Sequence, residues 1–575
     1  MSCFRNNITN EEITAMPKCA FPGTVEIVDT EEKAVVACAY LMAQSALGFD
    51  TETRPSFKAG VSNRTALLQL ASADRCFLFR LSQMKFVREV ARVLESGNVV
   101  KVGAAVRDDI KGLQKLRWFR PQGFVDLQSV AGEWGIEEKS VRKLAAIVLG
   151  SSVSKAQRLS NWEAATLTKA QIGYAATDAW VCLEIYNRLI KEESLGRRHP
   201  WVFSGAIERM EGEPAEGDVV DVYSRQGEFL ARGHYQIGSI TVRILTFVQA
   251  EIDARWWLER LRAAVGVRRA VGLVGNPMTD CYRLVHGEGD GLPGLVVDIY
   301  GDTAVVQAHS VGMYRSRDAV CDALRRVYGG ALAAVYDKSA QTLPYKADTG
   351  ACDGYLYGGD GTTERIVTEN GNRFHVDWGA GQKTGFFLDQ RENRELVRRY
   401  SSGRAVLNTF SYTGGFSVYA LAGGAERVVS VDSSAGAVRL AERNVALNFG
   451  DGAPHEGVAV DAFDYLKGMD GSFDLVILDP PAFAKHHKVL GNAMKGYMRL
   501  NARALSQIAP GGILFTFSCS QAVSRELFRT AVFTAAAVAG RNVRILHQLT
   551  QPADHPVNIY HPEGEYLKGL VLYVE

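Results

Sequence analysis

The sequence predicts an α/β multidomain chain, and three observations carry that expectation. Its 575 residues exceed what one hydrophobic core serves, about 250–300 residues, so several domains are expected. Both ends of the chain alternate short apolar runs with helical patterns, as interleaved strands and helices do. Between them lie short alternating segments with glycine turns and no long helix, the texture of a small β domain.

Composition narrows the class further. With 47% hydrophobic and 22% charged residues, the chain is made like a soluble globular protein and not like a disordered one. A formal net charge of +1 gives no global nucleic-acid signature, so any affinity for RNA must rest on local patches. The nine cysteines contain no CxxC pair, which fits a reduced, cytoplasmic setting better than a disulfide framework or a zinc site. The N-terminus shows no basic-then-apolar leader pattern. The longest apolar stretch, Ala34–Phe49, is too short and too interrupted to span a bilayer, so no membrane contact is expected.

The elements follow in order. Residues 1–192 read as strand GTVEIVDT, helix EEKAVVACAYLMAQ, strand ALGFDTET ending in acids, and a pair of strands, ALLQLAS and CFLFRL. Helix VREVARVLES, strand NVVKVGAA and helix DDIKGLQKL come next, then helical patterns from Leu127 to Ile190. The polar stretch Lys191–Pro200 reads as a linker. Residues 197–262 supply the short alternating strands of a small β domain, and residues 263–370 an α+β domain with tight GEGDGLPG turns. From 371 to 575, apolar runs of strand length are each followed by a helical pattern, which argues a doubly wound parallel sheet.

The first chemical signal is acidic. Asp50 and Glu52 end an apolar strand, and the two-residue period puts both on one face. Two carboxylates so close repel unless a cation neutralises them, although a lone D-x-E is more often a solvated strand end. It is not alone. Asp109 opens a helix after a strand, and Tyr174 and Asp178 share a helical face at i and i+4. Together these form D-x-E, G-x5-D-x3-L (Gly103, Asp109, Leu113) and Y-x3-D, in that order. Residues 22–190 thereby resemble the DEDDy 3′→5′ exonucleases of the RNase D and Werner kind. The resemblance implies an RNase H-like fold acting on single-stranded nucleic acid 3′ ends. It makes Asp50, Glu52, Asp109 and Asp178 ligands of two Mg²⁺ or Mn²⁺ ions, with Tyr174 orienting the attacking water. Hard carboxylate oxygens suit those ions. Asp108 competes for the second motif, but the spacing to both Gly103 and Leu113 favours Asp109, while Asp126 reads as a structural strand-end acid.

The second signal sits in the C-terminal repeats. VLNTFSYTGGFSVYAL is a strand, a turn and a helix, with Gly414 and Gly415 allowing close backbone approach to a ligand at a helix N-terminus. Asp432, Asp461 and Asp479 end the strands that follow, and ligands of such sheets bind at the carboxyl ends of strands. With GQKTGFFLDQRENR, NTFSYTGGFS, VDSS, DPPAFAK and TFSCS, residues 197–575 resemble the RlmI-type large-subunit rRNA cytosine-5 methyltransferases. HPWVFSGAI and the small β domain resemble that family's RNA-binding PUA domain, and YRLVHGEGDGLPGLVVDIYGD its central domain. The resemblance implies a Rossmann-like domain that holds S-adenosylmethionine (SAM) at Asn408, Phe410, Tyr412, Gly414, Asp432, Asp461 and Asp479, with Arg391 near the SAM carboxylate. The implied RNA partner is 23S rRNA, and a homodimer is left open.

Carbon 5 of cytosine is a poor nucleophile, and a thiolate adding at C6 makes it reactive. The resemblance gives that role to Cys519, just after the strand of TFSCS. Asp479 would meet the flipped base at N3 or its amine, Phe483 would stack on it, and Lys485 would meet phosphate. Pro480-Pro481-Ala482 stands where some RNA cytosine-5 enzymes carry a second cysteine. Three alternatives stay open: a guanine-N methyltransferase that needs no thiol, an RNA-binding assembly factor with a decayed exonuclease, and an exonuclease that acts on DNA.

Overall fold

The computed structural model describes residues 4–55, 63–133, 136–157, 159–196, 198–224, 227–344, 350–483 and 490–575. The chain divides into two compact units, Met1–Arg197 and Arg198–Glu575.

In the first unit, β1 (Thr24–Val28), β2 (Ala46–Thr53), β3 (Thr65–Ala71), β4 (Arg75–Arg80), β5 (Val100–Gly103) and β6 (Phe124–Asp126) form one sheet in the order β1-β4-β3-β2-β5-β6. The expected strand pair is present, with Leu68 opposite Phe79 and Leu70 opposite Phe77. β2 and β3 are antiparallel, whereas β5 and β6 continue the sheet in parallel, so it is mixed. β3 is buried at every position. Alternation explains this: Leu68 and Leu70 pack toward the helices Glu31–Leu41 and Arg88–Glu95, and Leu67 and Ala71 toward the helix Lys169–Gly196. That last helix lies very close to β2. A Cβ on Gly48 would fall 1.9 Å from the Ala179 carbonyl oxygen, so only glycine lets the helix descend there. This approach brings Tyr174 and Asp178 down to the acids of β2.

The second unit opens with the antiparallel sheet β7-β10-β9-β8, from β7 (Trp201–Phe203), β8 (Val219–Tyr223), β9 (Phe229–Tyr235) and β10 (Ile240–Thr246). The helix Ala254–Ala270 leads to a five-stranded sheet of β11 (Cys281–His286), β12 (Leu295–Tyr300), β13 (Thr303–Ala308), β14 (Ala334–Asp337) and β15 (Gly354–Gly358). A hairpin, β16 (Glu364–Glu369) and β17 (Asn372–Asp377), precedes the final sheet.

That sheet contains β18 (Ala405–Thr409), β19 (Arg427–Asp432), β20 (His455–Ala459), β21 (Leu475–Leu478), β22 (Gly512–Ser518), β23 (Val543–Leu549) and β24 (Lys568–Val574), in the order β20-β19-β18-β21-β22-β24-β23. Five strands are parallel, as expected, but β24 runs antiparallel to both β22 and β23. The strand order reverses at β18, and an open sheet leaves a crevice at the carboxyl ends beside such a switch. Among the described residues no helix is long and apolar enough to cross a membrane.

Candidate active sites

In the first unit, carboxylate oxygens of Asp50, Glu52 and Asp178 all lie within 4.8 Å of one another. β2 supplies the first two from one face, and the helix Lys169–Gly196 supplies the third. Asp109 stands just outside this trio. The Thr51 hydroxyl donates to its Oδ1 at 2.5 Å, and its charge still bears on Asp50. Burial pushes Asp50 well above the usual carboxylate range, and the charges of Asp178, Asp109 and Glu52 add to it. Burial lifts Asp109 to about 6, against the Thr51 hydrogen bond. Asp178 is also raised by burial, opposed by a hydrogen bond from Tyr174 and by the Lys155 charge. Tyr174 therefore touches Asp178, and its hydroxyl pKa is pushed up by burial and by that carboxylate.

The neighbouring acids separate cleanly. Asp108 is exposed and pairs with Lys111 at 2.9 Å, so Asp109 is the residue of the helix start that faces the site. Asp126 accepts the backbone N–H groups of Ala105 and Gln128, the structural role expected of it. A half-buried set of hard oxygen donors, in which Asp178, Asp109 and Glu52 raise the pKa of Asp50, is what a divalent cation relieves, so the donor chemistry fits Mg²⁺ or Mn²⁺.

In the second unit, the turn after β18 has left-handed backbone at Phe410 (φ 55°), Tyr412 (φ 45°) and Gly414 (φ 72°). Such strain in side-chain-bearing residues gathers at ligand sites. Two polar atoms beside this turn, Asn408 Oδ1 and Ser411 Oγ, are buried without a hydrogen-bond partner. Asp432 accepts the backbone N–H groups of Tyr412 and Ser434, and so ties the turn to the end of β19. Orphaned acceptors beside a strained turn at the sheet crevice fit a polar cofactor such as SAM.

Three of the expected cofactor residues carry structural roles here. The missing side chain of Gly414 serves packing as well, because an added Cβ would come within 2.7 Å of Ala441 Cβ on the neighbouring helix. Asp461 is exposed beyond the end of β20, and its Oδ1 caps the helix Ala462–Lys467 through the N–H groups of Phe463 and Asp464. Arg391 is not free for a cofactor carboxylate. Its guanidinium is buried, 2.6 Å from Asp554 and 3.6 Å from Glu369, while Arg394 closes a two-pronged pair with the same Glu369. These arginines fasten their helix to β16 and to the loop that carries Asp554.

Cys519 follows β22 directly, one strand over from Asp479 at the end of β21. Burial pushes its thiol up to about 12, with Asp479 and Asp389 adding to the shift and Lys568 opposing it. Asp479 is lifted to about 7, chiefly by burial and then by Asp389, while Gln390 Nε2 donates to its Oδ2 at 3.0 Å. Lys568 is buried, and donates to the carbonyls of Ser520 and Val523 at 2.6 and 2.7 Å. Burial lowers its pKa to about 8. Phe483 packs on Tyr497 with ring centroids 4.7 Å apart, and the Tyr497 hydroxyl accepts from Ser518. Lys485 lies outside the described residues. Sequence reasoning placed Asp389 only within the DQRENR segment bordering SAM, and gave no role to Tyr566 or Lys568. The one available signal was a lysine opening the otherwise apolar strand KGLVLYV.

A second set of ligand-type atoms, from His199, His561 and Glu563, also gathers within 4.8 Å. The backbone N–H of Trp201 donates to His199 Nδ1 at 3.1 Å, which leaves the ring proton on Nε2, the atom facing Glu563. With its proton there, His199 Nε2 has no lone pair for a metal, and Glu563 stands 3.5 Å from it.

Comparison with known proteins agrees with this division. Residues 25–193 match the family model of 3′-5′ exonucleases, residues 190–247 that of PUA-like domains, and residues 283–559 that of S-adenosylmethionine-dependent methyltransferases. The ribosomal RNA large subunit methyltransferase I of Aeromonas salmonicida is 41% identical over 401 residues, which cover 68% of this chain and 99% of that protein. A Streptococcus mutans protein described as a SAM-dependent methyltransferase is 25% identical with a TM-score of 0.58, covering 67% of this chain and 98% of its own. A methyltransferase solved in complex with SAH aligns with a TM-score of 0.59 at 25% identity, over 67% of this chain and 98% of that one. The chain therefore belongs to the ribosomal RNA large subunit methyltransferase I family, and carries in addition an N-terminal 3′-5′ exonuclease domain.

Proposed function

We propose that the second unit forms 5-methylcytosine in 23S rRNA through a covalent Cys519 adduct, and that the first unit is a metal-dependent 3′→5′ exonuclease. The observation that carries the first reading is Cys519 beside Asp479 at the carboxyl ends of adjacent parallel strands, next to the strained turn after β18. SAM, when bound, supplies the methyl group, and Asn408, Phe410, Tyr412, Gly414 and Asp432 are the residues that shape its place. Cys519 would give its proton to solvent water and bond through its sulfur to C6, moving the C5–C6 electron pair to C5 so that C5 can accept a methyl group. Solvent water would then take the C5 proton, whose bonding pair re-forms the C5–C6 double bond as the C6–S pair returns to sulfur. Asp479, whose pKa of about 7 keeps a proton available, hydrogen-bonds the base. The PUA-like segment contributes RNA affinity, and the domains follow residues 1–192, 197–262, 263–370 and 371–575. The setting is cytoplasmic.

In the exonuclease, Asp50, Glu52, Asp109 and Asp178 would hold two Mg²⁺ or Mn²⁺ ions, which when bound would supply charge stabilisation for phosphodiester cleavage. Tyr174 shifts its hydroxyl from Asp178 to orient the water. RNA is the favoured substrate because the attached unit handles RNA. Two experiments test these readings. Cys519→Ser should bind SAM in calorimetry yet transfer no methyl group to 23S rRNA, and normal turnover would point to N-methylation without a thiol. Asp50→Ala should abolish 3′-end trimming of labelled single-stranded RNA. Wild-type protein that is inert on RNA and DNA with both metals would refute the nuclease reading.

A further inference from the structure

The pocket around Cys519 holds an acid that the mechanism above leaves unused. Asp389 lies in the short 3-10 helix Leu388–Gln390, and its charge acts on both Cys519 and Asp479, which places it beside them. Its two oxygens differ. Oδ2 accepts the hydroxyl of Tyr566 at 2.7 Å, whereas Oδ1 is buried with no hydrogen-bond partner. A buried acceptor left without a donor costs free energy that a bound donor recovers. The adjacent residue, Gln390, donates to Asp479 at 3.0 Å, so consecutive side chains of one turn hold the two acids side by side.

We propose that Asp389 reads the target base: its unpartnered Oδ1 accepts the exocyclic amine of the flipped nucleotide while Asp479 meets N3, so the two acids together select cytosine over uracil. This inference rests on the cytosine-5 reading above. Cytosine presents an amine donor next to the N3 acceptor, and uracil presents the reverse, a carbonyl acceptor next to an N3–H donor. An acid that retains a proton near neutral pH, as Asp479 does, can donate to cytosine N3. An acceptor-only oxygen at the neighbouring position then pairs with the amine and opposes the uracil carbonyl. Sites that hydrogen-bond a substrate N–H reject analogues that lack it far better than apolar pockets reject a change of shape. Tyr566 is a positioning residue in this scheme, because its hydroxyl fixes which oxygen of Asp389 faces the base.

The test uses the full chain, SAM and 23S rRNA transcripts made with 5-fluorocytidine. Fluorine at C5 cannot leave as the proton does, so the Cys519–C6 bond persists and is read as a protein band shifted by RNA. Once the target nucleotide is mapped, a second transcript carries 5-fluorouridine there. Wild-type protein should trap the cytidine transcript at least about 100-fold faster than the uridine one. In Asp389→Asn the Tyr566 hydroxyl holds the amide carbonyl on its own side and turns the NH2 toward the base, which suits uracil. The cytidine-to-uridine ratio should then fall by at least about tenfold. An unchanged ratio overturns the role of Asp389. If Asp389→Asn does not fold, Tyr566→Phe carries the test: it frees the carboxylate to turn and should also lower the ratio, and an unchanged ratio there refutes the proposal. Failure of wild-type protein to trap the cytidine transcript at all would instead refute the covalent cytosine reading.

Discussion

Asp109→Asn should make the metal-free protein more stable, although it removes an acid of the nuclease site. The substitution keeps an oxygen for the Thr51 hydroxyl to donate to, and removes only the charge. Burial raises the Asp109 carboxyl from its ordinary 3.8 to about 6. A carboxyl raised in the folded state contributes stability that is full below its unfolded value and is lost as pH rises through its folded value. The penalty is therefore absent below pH 3.8 and complete above about pH 6. Two pKa units at about 1.4 kcal/mol each give an upper bound of about 3 kcal/mol at pH 7.5. For a unit of this size that corresponds to a rise of roughly 6–12 °C in melting temperature. The assay is calorimetric melting of the full chain in EDTA at pH 7.5 and pH 4.5, with the first unit's transition identified as the one that Mn²⁺ shifts. Wild type should gain more from Mn²⁺ at pH 7.5 than at pH 4.5, and the variant should gain less than wild type. A variant that melts at or below wild type at pH 7.5 in EDTA would refute the reasoning, as would an equal gain at both pH values.

Three further outcomes follow from the second unit. Arg391→Met removes the buried guanidinium 2.6 Å from Asp554, which keeps only His555 and the Arg283 N–H, and urea unfolding should show a loss of about 3 kcal/mol, with SAM affinity of the folded protein little changed. Gly414→Ala puts a methyl group 2.7 Å from Ala441 Cβ at a φ of 72°, and the same measurement should show a loss of about 1–3 kcal/mol. If protonated Asp479 donates to the base, methyl transfer under saturating SAM should decline as pH rises through about 7, and Asp479→Asn, whose amide keeps a donor, should remove that limb.

Much of both sites could be read along the chain because their residues recur at fixed spacings within single elements. Asp50 and Glu52 share a face of β2 through the strand period, and Tyr174 and Asp178 share a helix face one turn apart. The strand-end positions of Asp432 and Asp479 likewise follow from where each apolar run stops. Arg391 misled because an arginine beside a cofactor motif looks the same in sequence whether it faces ligand or interior, and only the burial of Glu369 and Asp554 decides between them.

By itself the sequence determined which elements form, which acids and thiol they carry, and hence the two kinds of chemistry. Tertiary structure alone decided that Asp109 hangs on Thr51 at the margin of the acidic trio, and that Gly414 serves helix packing. It also gathered Asp389, Tyr566 and Lys568 around Cys519 from positions far apart in the chain. The physical reason is range. Periodicity fixes where a side chain points within its own helix or strand, whereas partners and protonation depend on which distant elements pack against it and exclude water.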